Sequence, residues 1–194
     1  MTEPLFTPED TAVLLIDHQI GTMSWVRSTD YQEMKANALA LAKAATALGL
    51  PLVLTSSLED QQQGPLQPEF AEIAPAAYAA RIQRVGAVNA MDDPNFAAAV
   101  TATGRRNLII AGVTNDVCTV YPTLTALEQG YRVQVVADAG GSMSKSADDV
   151  ALRRMELAGA GITSTNMILT ELARNWASET GQALIPIVGA LIPN

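Results

Sequence analysis

The chain alternates short, almost wholly apolar runs with longer segments whose apolar residues recur every three or four positions. T-A-V-L-L-I (11–16) is apolar, short and rich in β-branched residues, the pattern of a strand buried on both faces. Leu41, Ala45 and Leu48 stand at i, i+4 and i+7 and predict a helix over 31–48, closed by Gly49. P-L-V-L-T-S-S (51–57) predicts a second strand. Q-Q-Q-G-P-L-Q-P-E-F (61–70) has neither period and reads as a long loop, of a kind that is often functional. V-G-A-V-N (85–89) predicts a short edge strand, and D-P-N-F-A-A-A-V-T-A (93–102) a helix with Pro94 at its first position. N-L-I-I-A-G (107–112) is another strong strand. The segment 117–129 sets Val117, Val120, Tyr121, Leu124 and Leu127 on one helical face. R-V-Q-V-V-A (132–137) is a strand ending at Asp138; a helix over 146–159, a weaker strand over 161–165 and a helix over 167–178 follow.

This alternation predicts one α/β domain over residues 1–194: a three-layer α/β/α arrangement around a mainly parallel sheet of about six strands. The composition agrees, with 48% hydrophobic and 16% charged residues, enough to bury a sizeable core. A net charge of −8 disfavours nucleic acid, whose binding rests on Lys and Arg neutralising phosphates, and disfavours anionic membrane surfaces. No apolar run reaches the roughly 18 residues of a membrane span. The opening M-T-E-P-L-F-T-P-E-D has no secretory pattern, and a single cysteine allows no internal disulfide, so a reducing cytoplasm is expected. One His and one Cys cannot furnish a zinc site of the usual nitrogen and sulfur kind, and neither metal nor cofactor is expected.

In open α/β sheets ligands bind beyond the carboxyl ends of the strands. Asp17, Ser56 and Ser57, Thr114 to Cys118, and Asp138 all follow such ends. A free cysteine is most often buried filler. Pro122, tolerated only in a first helical turn, places a helix start close to Cys118 or a kink just after it. In the first case the helix dipole would lower the thiol pKa, and unpaired amides would be free to bind an oxyanion. Asp17 is a candidate general base, or else a cap or loop carboxylate. His18, the sole histidine, alternates away from the Asp17 face. Arg81 and Arg84 read locally as solvent-facing charges. Gly140 and Gly141 form at most a weak anion-binding turn, lacking the phosphate-loop pattern.

Taken together, V-L-L-I-D-H-Q (13–19), R-V-G-A-V-N-A (84–90), L-I-I-A-G-V-T-N-D-V-C (108–118) and V-V-A-D-A-G-G-S (135–142) resemble the isochorismatase-like cysteine hydrolases, in particular their YcaC-type branch. The resemblance runs in register over roughly residues 10 to 160. It implies the isochorismatase-like hydrolase fold and a catalytic triad of Asp17, Arg84 and Cys118. Many members carry lysine at the basic position; arginine, which stays protonated, would act only electrostatically. The resemblance further implies a cis peptide at Val113–Thr114 and an oxyanion hole of the Thr114 and Cys118 amides. Gln19, Trp25, Asn115 and Tyr121 are candidate substrate contacts and the 58–70 loop a further candidate wall, suggesting a small partly apolar ligand; Trp25, Tyr121 and the loop could equally be core or subunit contact. Metal-dependent nicotinamidase relatives use an Asp-x-His-x-His segment; T-S-S-L-E-D (55–60) has no histidine there.

The activity so implied is hydrolysis of a small amide-type C–N bond through a covalent thioester, with a small-molecule substrate of unknown identity. A catalytically idle scaffold and a redox-sensing thiol protein are the alternatives. The apolar tail A-L-I-P-I-V-G-A-L-I-P (183–193) predicts a homo-oligomer, as the resemblance also suggests.

Overall fold

The computed structural model describes residues 5–192. The first four residues of the opening segment, and Pro193 of the tail, lie outside the described residues. The strands are β1 (Thr11–Ile16), β2 (Leu52–Ser57), β3 (Ile82–Arg84), β4 (Asn107–Gly112), β5 (Arg132–Val136) and β6 (Gly161–Thr163). All pair in parallel, in the order β3-β2-β1-β4-β5-β6. The strand order reverses between β1 and β4, and in such sheets the ligand crevice lies at that reversal.

The helices are α1 (Ile20–Ser24), α2 (Tyr31–Leu48), α3 (Glu69–Ile73), α4 (Pro75–Ala79), α5 (Pro94–Ala102), α6 (Val120–Glu128), α7 (Lys145–Leu157), α8 (Thr165–Ala173) and α9 (Glu179–Gly189). β1 explains the layering. Val13 and Leu15 point to the face covered by α2, α8 and α9, while Ala12, Leu14 and Ile16 point to the face covered by α5, α6 and α7. Every residue of β1 is buried, which is why its run is continuously apolar rather than alternating. The long helix α2 starts where the Asp30 carboxylate accepts from the amides of Gln32 and Glu33, and it stops at Gly49 in the left-handed region.

Three expectations are corrected. The edge strand lies at 82–84, not 85–89: Gly86 at φ 118° turns the chain out of extended conformation and leaves Val85 92% exposed. The loop at 61–70 runs into α3 and α4, where Phe70 is buried in the core. The helix expected from 117 opens instead with a π-helical turn over Asn115–Thr119, and α6 begins at Val120 with Pro122 in its first turn. The wider turn rotates the register, so Val120, Thr123 and Ala126 are buried while Tyr121 faces outward. In the tail, 183–189 belongs to α9, which carries Pro186 in its interior and buries Leu184.

Candidate active site

The register brings three strand ends together. Ile16 pairs with Gly112, and Ser57 pairs with Arg84, so Asp17, Arg84 and the turn after β4 converge on one end of the sheet. Asp17 sits at φ 57° and is 2% exposed; its amide donates to the Thr55 carbonyl (2.9 Å). The tight backbone carries the chain off β1 and turns the carboxylate inward.

Arg84, the last residue of the edge strand, is also buried. Its Nη2 donates to both carboxylate oxygens of Asp17, its Nη1 to the Ala87 carbonyl, and its Nε to Thr55 Oγ1 at 3.0 Å. Thr55 Oγ1 in turn donates to the Ile82 carbonyl (2.7 Å). The guanidinium is therefore held on three sides in a geometry that lysine cannot copy. The reading of Arg84 as a solvent-facing charge is overturned, and Arg81 is only partly exposed, paired with Glu59 (2.8 Å) and stacked over the Tyr78 ring.

Cys118 lies inside the π-helical turn and is partly accessible. It lines the same cavity as Asp17, Arg84 and Thr114, close enough for the carboxylate, the guanidinium charge and the Thr114 backbone to act on the thiol. Burial pushes the thiol well above its ordinary range, and the Asp17 charge and hydrogen bond add to this. The Arg84 charge and the Thr114 amide pull the other way without winning. The lowered thiol pKa expected from a helix dipole is corrected: desolvation beside a carboxylate outweighs any dipole. Burial likewise raises the Asp17 carboxyl, with the Arg84 charge and hydrogen bonds offsetting part of the effect. The thiol therefore keeps its proton in the substrate-free protein. The peptide bond Val113–Thr114 is cis.

These groups open into a cavity of about 260 Å³, lined also by Thr22, Trp25, Ser57, Leu58, Gln63, Gly86, Ala87, Val88, Val117 and Met143. Of the expected substrate contacts, Trp25 lines it. Gln19 does not: its side-chain amide donates to the carbonyls of Ser57 and Gly64 and accepts from the Ser57 amide, lacing the 57–64 segment to α1. Asn115 is buried behind the turn, donating to Asp148 Oδ1 (3.0 Å), and Tyr121 packs outside under the Arg154 guanidinium. His18 is buried, is not among the lining residues, and bonds the Ala139 carbonyl through Nε2 (2.7 Å). Leu58 and Gln63 of the expected 58–70 wall also line the cavity, whereas sequence reasoning missed Thr22, Val88 and Met143. Leu58 at φ 48° opens the turn after β2, and Gly21 was the available signal for Thr22. A Cβ on Gly21 would lie 1.9 Å from the Gln62 carbonyl oxygen, so only glycine lets α1 press against the 61–64 turn. Among the described residues no group of three or more His, Cys, Asp or Glu could hold a metal ion.

The isochorismatase domain model matches residues 11–167, most of the chain. The chain belongs to the isochorismatase family of hydrolases. Within this family it is 41% identical over 182 residues to the probable hydrolase YcaC of Escherichia coli K12, covering 92% of this chain and 86% of that protein. It superposes on YcaC from Pseudomonas aeruginosa, crystallised with hexane-2,5-diol and covalent acrylamide, with a TM-score of 0.90 at 43% identity. E. coli YcaC, described as an octameric hydrolase of unknown specificity, superposes with a TM-score of 0.89 at 39% identity. Both superpositions cover 98% of this chain and 96% of the other. The isochorismatase-like α/β fold is thereby shared over nearly the whole length.

Proposed function

We propose that this isochorismatase-family hydrolase cleaves a small amide-type C–N bond through a thioester on Cys118. The observation that carries the reading is that the Cys118 thiol shares one cavity with an Asp17 carboxylate that Arg84 holds by both oxygens. As substrate binds, Asp17 takes the thiol proton and the sulfur attacks the carbonyl carbon, forming the C–S bond. The Thr114 and Cys118 amides meet the oxyanion, at roughly 3 kcal/mol for a well-placed donor. Asp17 passes its proton to the departing nitrogen as the C–N bond breaks, releasing ammonia or an amine. Water then gives a proton to Asp17 and its oxygen attacks the thioester; the C–S bond breaks and the proton returns to sulfur. Arg84 keeps the carboxylate aimed and neither gives nor takes a proton in this sequence.

The P. aeruginosa relative supports the reading, because a covalent acrylamide requires a nucleophile in that protein. The chemistry also speaks against a redox sensor, which needs a low-pKa thiol, whereas Cys118 is shifted upward. Cys118→Ala should abolish turnover with the melting temperature retained. Wild-type protein incubated with small amides should show an acyl mass increment on Cys118 by intact-mass spectrometry. A Cys118→Ala variant with undiminished activity removes the thiol from the mechanism, and an idle scaffold would form no adduct with any amide, ester or nitrile.

The assembly is proposed to be a homo-oligomer. Trp176, Ile185 and Ile192 leave apolar surface on and beside α9, and the E. coli relative is octameric. Light scattering at micromolar concentration should give a multiple of 20.5 kDa; a monomer overturns this.

A further inference from the structure

We propose that the cavity selects an uncharged substrate with a short apolar acyl group and excludes carboxylate-bearing amides. This rests on the amidase reading above and names its substrate class.

Asp17 and Arg84 are the charged side chains among the cavity's lining residues, and they are spent on each other. All three guanidinium nitrogens have partners, and the side chain is 1% exposed, so no cation is left to receive a substrate carboxylate. The charge that faces the sulfur is the Asp17 carboxylate, which would repel an anion. Trp25, Leu58, Val88, Val117 and Met143 make the remaining wall mostly apolar. An anion entering there would lose its hydration and gain no ion pair, which is prohibitive for a buried charge. A short alkyl chain, by contrast, replaces water against those walls at a gain.

What polarity remains is uncharged. The Thr22 residue is 4% exposed, and its hydroxyl has no hydrogen-bond partner within the protein. A buried hydroxyl left unpaired is costly; the Thr22 oxygen is covered in the substrate-free cavity, so it pairs with the substrate's polar group as the wall adjusts on binding. Arg27 stands on the outer flank beside Trp25, exposed and bonded to the Ser24 and Val26 carbonyls, where salt screens it.

The test compares alkylation of Cys118 by 2-chloroacetamide and by chloroacetate, reagents of nearly equal size that differ in charge. Each rate, read by intact mass, is divided by the rate of the same reagent with N-acetylcysteine, at low and at high salt. The neutral reagent should win by at least roughly tenfold at both salts, because burial of the charge is not screened. A ratio near or below one, or one that falls to unity at high salt, overturns the proposal and leaves only steering by the net negative surface. Alkylation needs no hydrolysis. A protein that prefers the neutral reagent yet forms no acyl-thioester with butanamide or hexanamide refutes the amidase reading and supports the charge selection. Thr22→Val, which removes the hydroxyl at almost constant shape, should lower kcat/KM for those amides by roughly tenfold with no loss of melting temperature. An unchanged kcat/KM removes Thr22 from the binding assignment.

Discussion

Arg84 shows how much of the site rests on one side chain's shape. Lysine would keep the positive charge but offer a single nitrogen where three now bond Asp17, Thr55 and the Ala87 carbonyl. Arg84→Lys is expected to cost roughly 2–4 kcal/mol in chemical denaturation, since buried acceptors lose their donors. Activity should fall by roughly a hundredfold as the carboxylate loses its aim. Near-full activity would reduce Arg84 to a point charge. Cys118 gives a second check at this scale. Because burial and Asp17 hold the thiol well up, alkylation of the substrate-free protein should still be rising at about pH 9, with no thiolate plateau near neutrality. A plateau at neutral pH would mean that the thiolate is preformed and that substrate binding does not trigger proton transfer to Asp17. Neither property was legible in the sequence, where Arg84 carries no local distinction and Cys118 stands next to an apparent helix start.

At the scale of elements, the turn Asn115–Thr119 is held from behind rather than from the cavity. Asn115 donates to Asp148 Oδ1, which also accepts from Ser142 Oγ (2.8 Å), and the Asn115 amide donates to the Gly141 carbonyl (2.8 Å). Thus α7 and the segment after β5 clamp the element that carries Cys118. Gly140 is what permits the clamp. A Cβ there would lie 2.4 Å from Asn115 Oδ1 and 2.5 Å from the Gly112 carbonyl oxygen. Gly140→Ala should cost about 1–3 kcal/mol by overpacking and slow Cys118 alkylation as the turn shifts. Urea denaturation and intact-mass kinetics on the same variant check both. The D-A-G-G-S segment suggested an anion-binding turn in the sequence. Its glycines instead admit other chain segments, which only the packing of β4, β5 and α7 decides.

For the whole molecule, the buried histidine sets an acid limit. Burial lowers His18 to about 4 from 6.5, with its Ala139 hydrogen bond opposing the shift. Between those values the unfolded chain binds more protons than the folded one, so stability falls as pH falls from 6.5 to about 4 and is unaffected by this group below that. The shift corresponds to about 3 kcal/mol. Unfolding free energies measured in urea across this range should show the loss, and His18→Gln, which can still donate to the Ala139 carbonyl, should flatten it. A wild-type curve as flat as the variant's would place His18 outside the buried core.

The apolar runs by themselves marked strands over 11–16, 51–57, 107–112 and 132–137, which the structure forms at 11–16, 52–57, 107–112 and 132–136, because strands buried in the sheet interior are mostly apolar. The alternation of these runs with helical periods determined the parallel three-layer class, since parallel strands need crossovers and crossovers need helices. Asp17 and Cys118 were marked by their places just beyond strand ends. What the pattern could not contain was register and close approach. That Ser57 faces Arg84, that the edge strand stops before Val85, and that Thr22 and Leu58 wall the cavity while Gln19 and Asn115 hold the scaffold behind it, all depend on contacts between segments far apart in the sequence. A local period says which side of an element is apolar. Only the folded sheet decides which polar residues at its carboxyl end point into the crevice and which are used up in closing it.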